Sequence, residues 1–179
     1  MGTYLWKINK KKLNKTNLAK YSDFIKKNYK VHSDNDFNKI WKWSIDNPKI
    51  FWKSVWDFTK VKGHQGDNLF KESNVFFKNR FFPDAKLNYA ENLLKNKNNK
   101  IAINFLSECG LKKSITWKNL YNSVCKLSSY LKTLNLSQKD RIAAYVPNSI
   151  ETIIFFLASA KNGYIWSSCS PDFGEQGVI

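Results

Sequence analysis

The sequence predicts an α/β fold, in which a helical N-terminal cap precedes the first βαβ units of a larger, incomplete domain. Before residue 100, apolar side chains recur mainly three and four positions apart, as on the buried face of a helix. After residue 100, short apolar strands alternate with helices of the same kind. Hydrophobic residues make up 42% of the chain and aromatic residues 16%, which favours a packed core over disorder.

The N-terminal cap is predicted to be helical from residue 21 onward. Residues 1–20 are rich in Lys and Asn, and we expect them to be flexible. Residues 21–30 have helical spacing, and residues 34–60 are predicted to form two helices that meet at Pro48. Proline is tolerated at the first position of a helix because the N–H that it lacks has no partner there.

A less regular stretch links the cap to the rest of the chain. Residues 69–90 are predicted to be irregular or short-stranded, and residues 87–94 can form a short helix. The Lys/Asn-rich run at 95–100 is the best candidate for a domain boundary. We therefore divide the chain into a cap region, 21–97, and the start of a second domain, 98–179.

The second domain shows alternating strands and helices. We expect Thr116 to cap the first helix and Gly163 to end the second. The predicted order is strand 101–106, helix 117–134, strand 141–146, helix 149–161 and strand 164–167. Such an alternation is typical of a parallel sheet, and a sheet of two or three strands leaves an edge unpaired. We therefore expect the chain to be a fragment of a longer protein.

The net charge of +16 has two interpretations: a surface that binds nucleic acid or anionic membranes, or an ordinary solvated surface. Lysine supplies nearly all of the charge, since Arg80 and Arg141 are the only arginines. Arginine is the better residue for bidentate contacts to phosphate and guanine, so we predict no nucleic-acid partner. The apolar run at 150–160 is too short to cross a bilayer, and the N-terminus lacks a secretory signal. We predict no membrane partner and a cytoplasmic location.

The cysteines and histidines do not indicate a metal site. Cys109, Cys125 and Cys169 lack metal-ligand spacing, and we expect reduced thiols. His32 and His64 have no suitable neighbours in sequence.

Four segments of the chain together resemble acetoacetyl-CoA synthetases, a family within the adenylate-forming acyl-CoA synthetase superfamily. The segments are residues 43–48 with 51–52, residues 82–94, residues 143–152 and residues 166–174. Residues 82–94 resemble the cap shared by acetyl-, propionyl- and acetoacetyl-CoA synthetases, whereas residues 166–174 are similar to acetoacetyl-CoA synthetases in particular. The resemblance runs collinearly over about residues 20–179. It implies that the second domain is the start of an acyl-CoA synthetase AMP-binding domain.

The resemblance implies a two-step ligase reaction of ketone-body and lipid metabolism. Acetoacetate attacks the α-phosphate of ATP to form an acyl-adenylate, and CoA then displaces AMP, with Mg²⁺ assisting the first step. The family's Gly-rich phosphate loop, ribose-binding acid and catalytic lysine match no position here, and the seven glycines do not cluster. We therefore expect no catalytic residue in this chain, no activity and no tight ligand binding by the chain alone, and a missing C-terminal part as its partner.

One loop is a candidate binding site. Ser170, Asp172, Phe173 and Gly174 follow a predicted strand, and ligands of open parallel sheets bind beyond the carboxyl ends of the strands. By the resemblance, these residues help to shape the CoA or acyl channel of the whole enzyme. The alternative is a tight turn in which Ser170 or Asp172 caps the next helix. Two further side chains have structural interpretations: Glu151 as a charge at a helix start, and Cys169 as a thiol without a nucleophilic role.

Three other functions stay open at the level of sequence. The chain can belong to a sister enzyme acting on acetate or propionate, since acid specificity depends mostly on later residues. It can be a non-catalytic basic binding module. It can also be a docking subunit that uses its open sheet edge.

Overall fold

The computed structural model describes residues 9–178, so the predicted flexibility of residues 1–8 lies outside them. The backbone divides into two compact units, Met1–Lys86 and Leu87–Ile179. The boundary between the units therefore follows Lys86. The Lys/Asn-rich run at 95–100, which was our best candidate for a domain boundary from sequence, lies within the second unit.

The first unit is helical, as the sequence predicts. Its helices are α1 (Lys10–Leu13), α2 (Asn17–Tyr29), α3 (Phe37–Asp46) and α4 (Pro48–Thr59). Helix α2 begins four residues before the predicted start, because the Thr16 side chain accepts a hydrogen bond from the backbone of Ala19. Pro48 occupies the predicted position at the start of α4.

Aromatic side chains form the core of this unit. Tyr21, Ile25 and Ile40 are buried, and the rings of Phe51 and Phe58 pack edge-on against Tyr21. The Tyr21 hydroxyl shares a 2.6 Å hydrogen bond with Ser54 Oγ, which satisfies two buried polar groups. Phe51 and Phe58 of α4 therefore contribute to this core.

The predicted irregular stretch contains two very short strands, β1 (Phe70–Lys71) and β2 (Arg80–Phe81), which pair antiparallel. A single 3₁₀ turn, Phe76–Lys78, lies between them, and a bridge joins His64 to Lys86. The rings of Trp52 and Trp56 in α4 contact those of Phe81 and Phe82, which anchors this stretch to the helices.

The second unit alternates strands and helices. Its elements are α5 (Tyr89–Leu93), β3 (Ile101–Leu106), β4 (Lys112–Thr116), α6 (Trp117–Lys132), β5 (Arg141–Tyr145), α7 (Ile150–Asn162) and β6 (Ile165–Cys169). Thr116 caps α6 and Gly163 ends α7 with a left-handed backbone, φ 80°, as predicted. Helices α6 and α7 pack through a buried cluster centred on Leu120, Val124 and Leu157. Within residues 9–178, none of the helices has the length and hydrophobicity needed to cross a bilayer.

Strand β3 differs from its predicted role in a parallel sheet. It pairs antiparallel with β4, and the two strands form a hairpin closed by a turn at residues 108–110. Strand β4 was not predicted, because Lys112, Lys113 and Ser114 give it a polar start without apolar alternation. The parallel pairing is confirmed for β5 and β6, which are connected through α7 as a βαβ unit.

Candidate functional site

The candidate loop begins where the two parallel strands end. The last residues of β5 and β6, Tyr145 and Cys169, lie opposite each other. The next backbone amide, that of Val146, donates to the carbonyl oxygen of Cys169 at 3.2 Å. The loop therefore leaves the carboxyl end of the sheet, which is the edge where open parallel sheets bind ligands.

The loop itself is a tight 3₁₀ turn, Pro171–Phe173. Ser170 caps it: the side-chain oxygen accepts from the Asp172 backbone N–H at 3.3 Å, and its hydroxyl donates to Asp172 Oδ2 at 2.8 Å. This matches the alternative in which the loop makes a capped turn.

Two features make the end of the turn distinctive. The Phe173 side chain is 64% exposed, although burial of its ring is favourable. Gly174 has φ 65° and ψ 171°, a conformation that residues with a Cβ rarely adopt. The turn thus places an apolar ring and a glycine backbone on the surface of the second unit.

Tyr145 also belongs to this site, although we did not predict it from the sequence. Its hydroxyl donates to the carbonyl oxygen of Pro171 at 2.7 Å. Only the register of the parallel pair brings a side chain at the end of β5 over the turn after β6, and that register is not visible in a single sequence.

A shallow groove of about 380 Å³ lies beside the loop, at the carboxyl ends of β5 and β6. Small side chains and backbone from both strands line it, including Ala143, Ser167 and Cys169, together with Gly177 and Val178. Its lining includes the hydroxyl-bearing residues Tyr145, Ser167 and Ser168, and none of the residues that line it is a His, Asp, Glu or Lys. Such a lining suits the binding of an extended ligand better than acid–base chemistry.

Other candidate groups have structural explanations. Glu151 lies in the first turn of α7, where its own backbone N–H and the Ser149 hydroxyl lower the pKa of its carboxyl, helped by Lys113 3.9 Å away. It is the predicted helix-start charge. All three cysteines are free, and Cys109 is exposed in the hairpin turn. Across the described residues, no three His, Cys, Asp or Glu side chains come together as metal ligands do.

Comparison with known proteins gives the family. A family model described as AMP-binding enzyme matches residues 90–178. An acetoacetyl-coenzyme A synthetase from Rhizobium meliloti (strain 1021) is 37% identical over 175 residues, which cover 98% of this chain and 27% of the relative. Residues 90–178 belong to the AMP-binding enzyme family. The chain as a whole is similar to acetoacetyl-CoA synthetases along almost its whole length.

The fold agrees with this membership. The structure of an acetoacetyl-CoA synthetase from Streptomyces lividans superposes with a TM-score of 0.88 at 25% identity, covering 99% of this chain and 28% of that one. A malonamoyl-CoA synthetase from Penicillium aethiopicum is 31% identical over 83% of this chain and 22% of its own length. The chain therefore spans about a quarter of the length of these members of the AMP-binding enzyme family.

Proposed function

We propose that this chain forms the N-terminal part of an ATP-dependent acetoacetate–CoA ligase. The full reaction converts acetoacetate, ATP and CoA to acetoacetyl-CoA, AMP and diphosphate. The observation that carries the proposal is the collinear similarity to acetoacetyl-CoA synthetases over 98% of the chain, together with a fold that matches one of them over 99%. In this ligase, residues 21–97 form the cap region and residues 98–179 begin the AMP-binding domain.

The residues of this chain indicate which part of the proposed enzyme it supplies. Its seven glycines are dispersed, so the residues present here do not form the Gly-rich cradle that a triphosphate requires. The chain alone is inactive in this proposal, and the groups that hold ATP and Mg²⁺ belong to other parts of the enzyme. This chain supplies the carboxyl end of the β5–β6 pair and the loop that follows β6.

The loop has a binding role in the proposal. Ser170, Asp172, Phe173 and Gly174 shape the channel through which CoA or the acyl group reaches the reaction centre. Phe173 supports this role because a 64% exposed ring in an ordered turn is available for contact with a ligand. The Gly174 backbone beside it faces open space, since a Cβ built on this residue would have no heavy atom within 4 Å. Because Gly174 has no side chain, a ligand can approach its backbone closely.

The proposed activity is tested with the full-length protein that contains this chain. Purified protein receives acetoacetate, ATP, CoA and Mg²⁺, and AMP and acetoacetyl-CoA are measured by liquid chromatography. We expect the two products in equal amounts, and neither when acetoacetate is omitted or Mg²⁺ is chelated. Absence of acetoacetate-dependent AMP contradicts the proposal.

The role of the loop is tested by Phe173→Ala in the same protein. We expect the KM for CoA to rise about tenfold, because loss of a stacked or packed aromatic ring removes roughly 1–2 kcal/mol of binding. Phe76→Ala is the matched control, since Phe76 is an exposed ring of the first unit, far from the loop in sequence. An unchanged KM for CoA in Phe173→Ala shows that the loop makes a turn and nothing more.

A further inference from the structure

The Tyr145 hydroxyl fixes the interior of the candidate loop from the neighbouring strand. It donates to Pro171 O at 2.7 Å and joins two residues that are 26 positions apart. The ring is half exposed, with 51% of the residue accessible, so burial of the ring is not the main reason for its placement. The hydroxyl group therefore carries the specific interaction.

The remaining polar contacts that we find in the turn are local. Ser170 bonds Asp172 through backbone and side chain, Phe173 N donates to Ser170 O at 3.2 Å, and Gly174 N donates to Pro171 O at 3.4 Å. These bonds preserve the shape of the turn, but they do not anchor it to the sheet. Among the described residues, the Tyr145 contact provides that anchor within the turn.

The anchor acts on one particular peptide group. The Pro171 carbonyl belongs to the same planar unit as the Asp172 N–H, so a hydrogen bond to one fixes the direction of the other. The Asp172 N–H in turn donates to Ser170 Oγ. Of the bonds to this peptide group, the one from Tyr145 comes from outside the turn and so ties its direction to β5.

We infer that Tyr145 is a positioning residue for the step in which CoA attacks the acyl-adenylate. It acts through the Pro171 carbonyl, holding the loop in the orientation that receives CoA. This inference rests on the proposed ligase function and on the proposed role of the loop. A residue that only stabilised the fold would affect both half-reactions alike.

The test compares the two half-reactions in Tyr145→Phe of the full-length protein. The variant keeps the ring and removes the hydroxyl. Acetoacetate-dependent exchange of pyrophosphate into ATP reports adenylation, and thioester formation at varied CoA reports the second step. We expect the KM for CoA to rise about three- to tenfold, as for loss of one hydrogen bond, with exchange changed less than twofold.

Tyr130→Phe is the matched control, because Tyr130 is a similarly exposed tyrosine on α6 of the same unit. We expect neither half-reaction to change in it. If Tyr145→Phe still catalyses acetoacetate-dependent exchange of pyrophosphate into ATP, the variant is also shown to be folded. A second readout is amide hydrogen exchange at residues 172–174, which we expect to accelerate by a similar factor in Tyr145→Phe alone.

Each contrary result has a distinct meaning. An active wild-type enzyme with an unchanged KM for CoA in Tyr145→Phe overturns the inference and leaves the ligase function intact. Equal losses in both half-reactions also overturn it, since they assign Tyr145 a purely structural role. A wild-type protein without acetoacetate-dependent exchange overturns the proposed function itself, and the inference with it.

Discussion

Asn88 stabilises two helices at once through a single side-chain amide. Its oxygen accepts from the Glu91 backbone N–H at 3.1 Å and so caps α5. Its nitrogen donates to the carbonyl oxygen of Ala160 at 2.8 Å, near the end of α7. Both ends of the amide therefore satisfy backbone groups that helix termini leave unpaired.

Replacement of Asn88 should destabilise the second unit more than loss of a cap alone. We expect Asn88→Ala to lower the free energy of unfolding by about 1–2 kcal/mol, since a cap contributes about 1 kcal/mol and the bond to the Ala160 carbonyl is lost as well. That carbonyl keeps its bond from the Gly163 N–H at 3.1 Å. Urea unfolding followed by circular dichroism measures the difference. Asn122→Ala, at an exposed position of α6, is the control, and we expect it to stay within about 0.5 kcal/mol of the wild type. Equal values for the two variants contradict the double role.

The capping residues show what local sequence reveals at this scale. Thr116 and Gly163 were predicted correctly because a cap depends on the few residues beside it. The second bond of Asn88 and the bond of Tyr145 to Pro171 were not predicted, because each joins positions far apart in the chain. Such contacts follow from packing, which local patterns do not specify.

Helices α2 and α4 are joined by a polar contact on one side of the aromatic core. Lys53 pairs with Asp57 at 2.7 Å within α4, and the Tyr29 hydroxyl at the end of α2 donates to Asp57 at 2.6 Å. Burial and the nearby Asp57 carboxylate raise the pKa of the Tyr29 phenol, which keeps it a donor. Partial burial opposes ionisation of Asp57, but the bonds from Lys53 and Tyr29 outweigh it and lower its pKa.

This contact predicts a pH dependence for the first unit. A depressed pKa means that the stabilisation is fully present above the ordinary value of 3.8 and is lost as the pH falls through the lower, folded value. We expect Asp57→Asn to cost about 0.5–1 kcal/mol at pH 7, allowing for solvent screening, and much less near pH 2. Urea unfolding followed by tryptophan fluorescence at both pH values measures it.

Asp46→Asn is the matched control, because Asp46 also pairs with a lysine four residues away on a helix, but with greater exposure. Exposed pairs of this kind contribute little, so we expect a change under about 0.5 kcal/mol at either pH. A cost for Asp57→Asn that does not diminish at low pH contradicts the electrostatic account.

Helices were predicted more reliably than strand pairing. The break at Pro48 and the apolar stripes predicted α3, α4, α6 and α7, because the periodicity of a helix is visible within its own segment of sequence. Strand β4 escaped prediction because its polar residues mimic a loop, and with it the antiparallel partner of β3 was missed. Pairing depends on a distant strand, so the parallel β5–β6 pair was predictable only through the helix between them.

At the scale of the whole molecule, similarity extends through both units. The matched relatives are about four times as long as this chain, and the segments that resemble them lie in α3–α4, in and just before α5, and in parts of β5, α7 and β6. Large apolar side chains are exposed in each unit, among them Trp41 in the first and Ile165 in the second.

The most direct test of the account is a competition among acids. The full-length protein containing this chain is given ATP, Mg²⁺, CoA and equal concentrations of acetoacetate, acetate, propionate and malonamate, and the thioesters formed are identified by mass spectrometry. We predict that acetoacetyl-CoA accumulates first and in excess over the other three products. A different thioester in excess, or none at all, contradicts the assignment of an acetoacetate–CoA ligase.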